Sequence, residues 1–121
     1  MYTVRVRSDF SSAHNLKGYK GKCEDLHGHN WQVEVVASSG KLDATGMVID
    51  FKELKGLLKE SIAELDHKHL NELECFRDMN PTSENIARHV YEDISRRRPG
   101  LKLKEVTVWE TGSSSATYTQ G

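Results

Sequence analysis

Three histidines stand at spacings that suit a single metal ion: His14, and the pair His27 and His29 two residues apart. Residues i and i+2 of a strand point to the same face, so both imidazoles of the pair can converge on one ion. His14 comes about a dozen residues earlier. If two strands pair as an antiparallel hairpin, it lies across from His27 and His29. Three neutral imidazoles around a divalent cation leave a fourth position open, which is the catalytic rather than the structural pattern of zinc. An ion without an anionic ligand keeps its full charge and is a strong Lewis acid toward a bound hydroxyl or carbonyl. Cys23 lies four residues before His27, next to Lys22. Two readings stay open for it. Nearby positive charge can lower its pKa and make a reactive thiolate, or its sulfur can close the coordination shell as a fourth, structural ligand.

Further along, Asp66 and His67 are adjacent, and a carboxylate that orients an imidazole makes a proton relay. Histidines also suit the negative end of a helix dipole, so Asp66-His67-Lys68-His69 reads equally as a decorated helix terminus. Glu110 follows Val106-Thr107-Val108-Trp109 on a presumptive strand. A carboxylate in an apolar strand is expensive to bury alone. It either faces solvent or accepts from a ligand with paired N–H donors, such as the guanidine-like edge of a heterocycle. Cys75 reads as a packed cysteine.

The elements that must hold these groups follow from periodicity. Residues 2–10 alternate, with Tyr2, Val4 and Val6 on one side, and residues 29–38 alternate through Trp31, Val33 and Val35; both are strands. The intervening 15–28 stretch, rich in glycine and lysine, is a loop. From Asp50 the period becomes helical, through Phe51, Leu54, Leu57, Leu58, Ile62 and Leu65, with Asp50 and Glu53 spaced as a capping box. Pro81 precedes a second helical stripe, Ile86, Ala87, Val90, Tyr91 and Ile94, which stops at Pro99-Gly100. Residues 101–110 and 114–119 are strands. The order ββααββ predicts a single α+β domain over 1–121 with a mostly antiparallel sheet. Helices on one sheet face leave the other needing a partner, which favours a homo-oligomer.

Composition sets the bounds. The chain has 121 residues, 36% hydrophobic and 29% charged, with a formal net charge of -1. That balance argues against nucleic acid as the main partner, and Arg96-Arg97-Arg98 is read as a solvated helix end. Two cysteines are too few for a disulfide scaffold. No signal-like or membrane-spanning stretch is present. A cytoplasmic protein with reduced thiols is expected.

Taken in order, Phe10-Ser11-Ser12-Ala13-His14, Cys23-x-x-x-His27-Gly28-His29, Gly46-Met47-Val48-Ile49-Asp50-Phe51, Leu65-Asp66-His67, Pro81-Thr82-Ser83-Glu84-Asn85 and Glu110 resemble the 6-pyruvoyl-tetrahydropterin synthase superfamily over essentially the whole chain. The short interval between Cys23 and His27-Gly28-His29 is similar to that of the bacterial 6-carboxy-5,6,7,8-tetrahydropterin synthases, which serve queuosine and other 7-deazaguanines. The resemblance implies a T-fold, a four-stranded antiparallel sheet with two helices on one face, assembled as a dimer of trimers with active sites between subunits. It implies one zinc per subunit on His14, His27 and His29, Cys23 as general base, and Asp66 with His67 as relay. Glu110 would grip the pterin, beside Thr82, Ser83 and Glu84. The implied substrate is 7,8-dihydroneopterin triphosphate, yielding 6-carboxytetrahydropterin, acetaldehyde and triphosphate. The 6-pyruvoyl synthase activity and a non-catalytic zinc or pterin binder are the alternatives. The phosphates would be gripped by residues not identified, lysines of 17–22 among the candidates.

Overall fold

A computed structural model describes residues 1–19 and 24–121. Four strands, β1 (Tyr2–His14), β2 (His27–Ser39), β3 (Leu103–Thr111) and β4 (Ser114–Tyr118), form one sheet in the order β1-β2-β3-β4. Every neighbouring pair is antiparallel. Two helices, α1 (Phe51–Ala63) and α2 (Ser83–Arg97), are inserted between β2 and β3, and two 3-10 turns, Leu70–Glu72 and Glu74–Phe76, join them. This is the expected ββααββ order and the four-stranded antiparallel α+β architecture of the T-fold.

The alternation that marks the strands puts Val6 and Phe10 of β1, Trp31, Val33 and Val35 of β2, and Val106 and Val108 of β3 on one face. Leu54, Leu58 and Ile62 of α1 and Ile86, Val90 and Ile94 of α2 pack on it as one core. Each such side chain contributes roughly 1.5–3 kcal/mol by leaving water. The opposite face is polar. Glu34 accepts from Arg7 at 2.6 Å and Arg5 at 3.3 Å, and Thr107 pairs with Thr117 at 2.6 Å.

Both helices start on side-chain caps. Asp50 accepts from the Lys52 N–H at 2.8 Å, and Thr82 from the Asn85 N–H at 3.1 Å, each satisfying a donor the helix leaves free. The expected capping box is only half made, because the Glu53 carboxylate pairs with Arg98 of the α2 terminus. Phe51 departs from the predicted apolar stripe: it is 62% exposed. It occupies the first position of α1, bordering an open depression with Tyr2 and Val4 of β1 and Met47, so helical phase alone overstates the buried face. After α2 the chain turns through Pro99 and Gly100, closed by the Leu101 N–H to the Arg98 carbonyl at 3.2 Å, and Gly100 takes φ 88°, the left-handed turn position that suits glycine.

The first two strands run further than their alternation suggested, to His14 and from His27. Ser11-Ser12-Ala13 carries no apolar period, but its backbone continues the ladder opposite Gly28, His29 and Asn30. That extension positions the histidines.

Candidate metal centre

Because β1 and β2 pair in register, His14 faces His27, Ser12 faces His29 and Phe10 faces Trp31. These positions lie on the inner face, at the end where the strands outrun the core. Trp31 forms the floor. It stacks on Phe10 with centroids 5.9 Å apart and meets the edges of His14 at 4.9 Å and His29 at 5.1 Å. Strand β3 adds Glu110: Trp109 pairs with Gln32, so the next residue falls beside Trp31 on the inner face. One ligand atom from each of His14, His27, His29 and Glu110 lies within 4.8 Å of all the others, the one such cluster among the described residues.

The rings are held ready to donate lone pairs. His14, 2% exposed, donates its Nδ1 hydrogen to the Pro81 carbonyl at 2.8 Å. His27 donates Nδ1–H to the Asp25 carbonyl at 2.8 Å. A carbonyl can only accept, so in each neutral ring the lone pair sits on Nε2. The Nε2 atoms of His14 and His29 are buried without a hydrogen-bond partner. Glu110 Oε1 stands 3.1 Å and 3.0 Å from them, so a carboxylate oxygen converges on the same point as the two imidazole nitrogens. Burial, helped by the neighbouring His14 and His27 and opposed by Glu110, lowers the His29 pKa. Buried, unpartnered, converging imidazole nitrogens cost stability unless something accepts their lone pairs. A divalent cation does so, and the donor set fits one.

Asp66 and His67 are brought together, but not into this cluster. Asp66 Oδ2 lies 2.9 Å from His67 Nδ1. Its Oδ1 accepts the Ser11 N–H at 2.9 Å, and that bond, more than the imidazole, holds the carboxyl below its ordinary pKa against a burial effect that raises it. His67 adopts φ 56°, the strained left-handed region for a non-glycine residue. It is fixed there by its N–H to the Ser11 carbonyl at 2.6 Å. The pair rides on the outer edge of β1 with the imidazole 82% exposed. His67 and His29 border one shallow depression of about 360 Å³.

Thr82 is occupied as the α2 cap, Ser83 is half-buried and Glu84 exposed in the first turn. Their link to the histidines is Pro81, whose carbonyl anchors His14. Cys23 lies outside the described residues. Cys75 is half-buried, and burial raises its thiol pKa. What sequence reasoning missed is the backbone acceptors at Asp25 and Pro81. A carbonyl leaves no trace in residue type, although a proline just before a helix cap was a hint.

An antiparallel sheet with two helices on one face, carrying a partly buried three-histidine centre where its first strands meet, defines a T-fold protein with a candidate metal site. The profile of the 6-pyruvoyl tetrahydropterin synthase family matches residues 3–121. The chain is 41% identical over 108 residues to an Archaeoglobus fulgidus protein that bears the provisional name 6-carboxy-5,6,7,8-tetrahydropterin synthase, covering 88% of this chain and 86% of that one. It is 40% identical over 108 residues to the dihydroneopterin monophosphate aldolase of Pyrococcus furiosus, covering 88% of each. The solved 6-pyruvoyl tetrahydropterin synthase of Caenorhabditis elegans superposes with a TM-score of 0.85 at 30% identity, over 99% of this chain and 96% of that one. The chain belongs to the 6-pyruvoyl tetrahydropterin synthase family, whose members are pterin enzymes.

Proposed function

We propose that the protein is a zinc-dependent carbon–carbon lyase that converts 7,8-dihydroneopterin triphosphate and one water to 6-carboxy-5,6,7,8-tetrahydropterin, acetaldehyde and triphosphate, in queuosine and 7-deazaguanine synthesis. The observation that carries the reading is the convergence of imidazoles whose inward Nε2 atoms are buried and unpartnered. His14, His27 and His29 hold the zinc, which when bound supplies a Lewis acid for side-chain hydroxyls of the substrate.

The chain's own residues do the rest. Glu110, 35% exposed, presents a carboxylate that accepts from the 2-amino and N3 hydrogens of the pterin, beside Thr82, Ser83 and Glu84. Cys23, as thiolate, takes a proton from the side chain. Asp66 accepts the Nδ1 hydrogen of His67 and leaves Nε2 to return or relay a proton. The exposure of His67 on the β1 edge, away from the four-residue cluster, supports an active site completed between subunits of a homo-oligomer, a hexamer built as a dimer of trimers.

The test is product identification after incubating purified protein with 7,8-dihydroneopterin triphosphate, with metal analysis of the same sample. Recovery of 6-carboxytetrahydropterin and acetaldehyde is expected. Pyruvoyl product without acetaldehyde would establish the 6-pyruvoyl synthase reaction instead. The relative in Pyrococcus furiosus favours one further reading, aldol cleavage of the monophosphate, so the monophosphate belongs in the same assay. Cys23→Ala should lose turnover and keep its zinc. A non-catalytic binder would show no turnover at all, and a structural site closed by Cys23 would lose zinc in that variant.

A further inference from the structure

The outer edge of β1 changes character along its length. From Ser11 onward every second peptide finds a partner that belongs to no strand. Ser11 is held by Asp66 and His67, and the Ala13 N–H donates to the Lys68 carbonyl at 3.0 Å. Asn15 then donates its N–H to Asn71 Oδ1 at 2.9 Å and accepts from Asn71 Nδ2 at 2.7 Å. Lys17 donates its N–H to Asn80 Oδ1 at 2.7 Å and accepts from Asn80 Nδ2 at 2.9 Å. Each carboxamide reproduces the donor and acceptor of a neighbouring peptide, so two side chains stand in for a strand. Only asparagine or glutamine can do this with one planar group.

Both asparagines are themselves anchored. Asn71 sits in the 3-10 turn that begins at Leu70, which is fully buried. The backbone carbonyl of Asn80 accepts from the Thr82 N–H at 2.9 Å and Asn85 Nδ2 at 2.8 Å, and the next carbonyl, of Pro81, holds His14. On the other side of the segment, Leu16 donates to Glu24 Oε1 at 3.2 Å and accepts from the Glu24 N–H at 2.9 Å. Glu24 Oε1 also lies 3.6 Å from His27 Nδ1. The chain entering and leaving the segment that carries Cys23 is thus tied to the same elements that hold the metal ligands.

We propose that Asn71 and Asn80 are positioning residues, which act through the backbone of residues 15–17 to set where the Cys23 segment starts relative to His14 and His27. The bonds at Asn80 are solvent-exposed, so their net contribution to stability is small, about 1 kcal/mol each. Their effect is geometric. A displacement of about 1 Å in a group that must meet the substrate can cost about a hundredfold in rate. The proposal rests on the reading of Cys23 as a catalytic base, and its test separates the two.

Asn71→Ala, Asn80→Ala and Asn80→Asp are compared with the wild type in the full-length protein. The aspartate retains the acceptor for Lys17 N–H but not the donor to its carbonyl. Amide exchange at Asn15 and Lys17 should quicken about tenfold or more in the alanine variants, with no matching rise in the helices. kcat should fall about tenfold or more with KM within about threefold, zinc should stay at one per chain, and Asn80→Asp should recover part of the loss. The alkylation rate of Cys23, read by peptide mass spectrometry, should change in the same variants. Unchanged exchange at Asn15 and Lys17 overturns the proposal. So does a rise spread over the whole chain in proportion to lost stability, and so does local loosening that leaves both kcat and Cys23 alkylation untouched. If the wild type turns over no pterin phosphate, the functional reading fails, while exchange and alkylation still decide the positioning claim.

Discussion

His14 and Pro81, 67 residues apart in sequence, are joined by a 2.8 Å hydrogen bond from the imidazole Nδ1 to the backbone carbonyl. The bond fixes ring orientation and tautomer together, so Nε2 points to where His27 and His29 converge. It also ties the N-terminus of α2 to the end of β1, making the metal centre part of the helix packing.

Metal binding should therefore stabilise the whole fold. Zinc at about a hundred times its Kd adds about 2.7 kcal/mol, on the order of 10 °C in Tm. Thermal unfolding with and without zinc measures it. His14→Ala should bind no zinc at chelator-competed concentrations and lose the increment. An equal zinc shift in that variant would remove His14 from the ligand set.

Glu110 stands within reach of two imidazoles, so its role needs separating from theirs. Glu110→Gln preserves volume and removes the charge. If the carboxylate grips the pterin, zinc remains at one per chain while kcat/KM falls about a hundredfold, the worth of one or two charge-assisted hydrogen bonds. Loss of zinc would instead place Glu110 among the ligands.

His67 offers a clean split between function and stability. Its φ of 56° costs about 1 kcal/mol that glycine would not incur. Greater unfolded-chain freedom of glycine offsets part of that gain. His67→Gly should stay within about 1 kcal/mol of wild type in urea unfolding while turnover falls about a hundredfold or more. A folded, fully active His67→Gly protein would eliminate the relay.

Between the helices, Asp93 is buried and accepts from Arg97 at 2.7 Å, while Arg97 also reaches Glu64 at 3.0 Å on the α1 side. Burial pushes the Asp93 carboxyl upward, but the Arg97 bond and charge outweigh it, leaving its pKa below the ordinary 3.8. With the folded pKa depressed, the unfolded chain binds the proton more tightly. The stability this group contributes is complete above about pH 3.8 and lost as pH falls through the lower folded value. Asp93→Asn should cost about 1.5–3 kcal/mol at pH 7, and urea titrations should show the gap narrowing toward pH 3.

Much of this arrangement can be read in the residues. Alternation through Trp31, Val33 and Val35, the stripe from Leu54 to Leu65 and the breaks at Pro81 and Pro99-Gly100 mark the element order, because burial imposes period on sequence. The i, i+2 spacing of His27 and His29 likewise announces a shared face. Glu110 was less transparent: its approach to the histidines depends on the register of β3 against β2, set by pairings such as Val108 with Val33. The Asn71 and Asn80 bonds connect side chains to peptides more than fifty residues away, and no local pattern encodes a partner at that distance. Phe51 shows the converse, a periodic residue left mostly in solvent.

The histidine donors of the centre come from β1 and β2, with Glu110 of β3 beside them, and they meet in one alignment of those strands only. A slip of one residue between β1 and β2 would turn the ligands of one strand to the opposite face, and a slip of two would carry His14 past His27. An ion caught by the three histidines would thus serve as a proofreader of strand pairing, favouring chains whose first two strands have found their proper register.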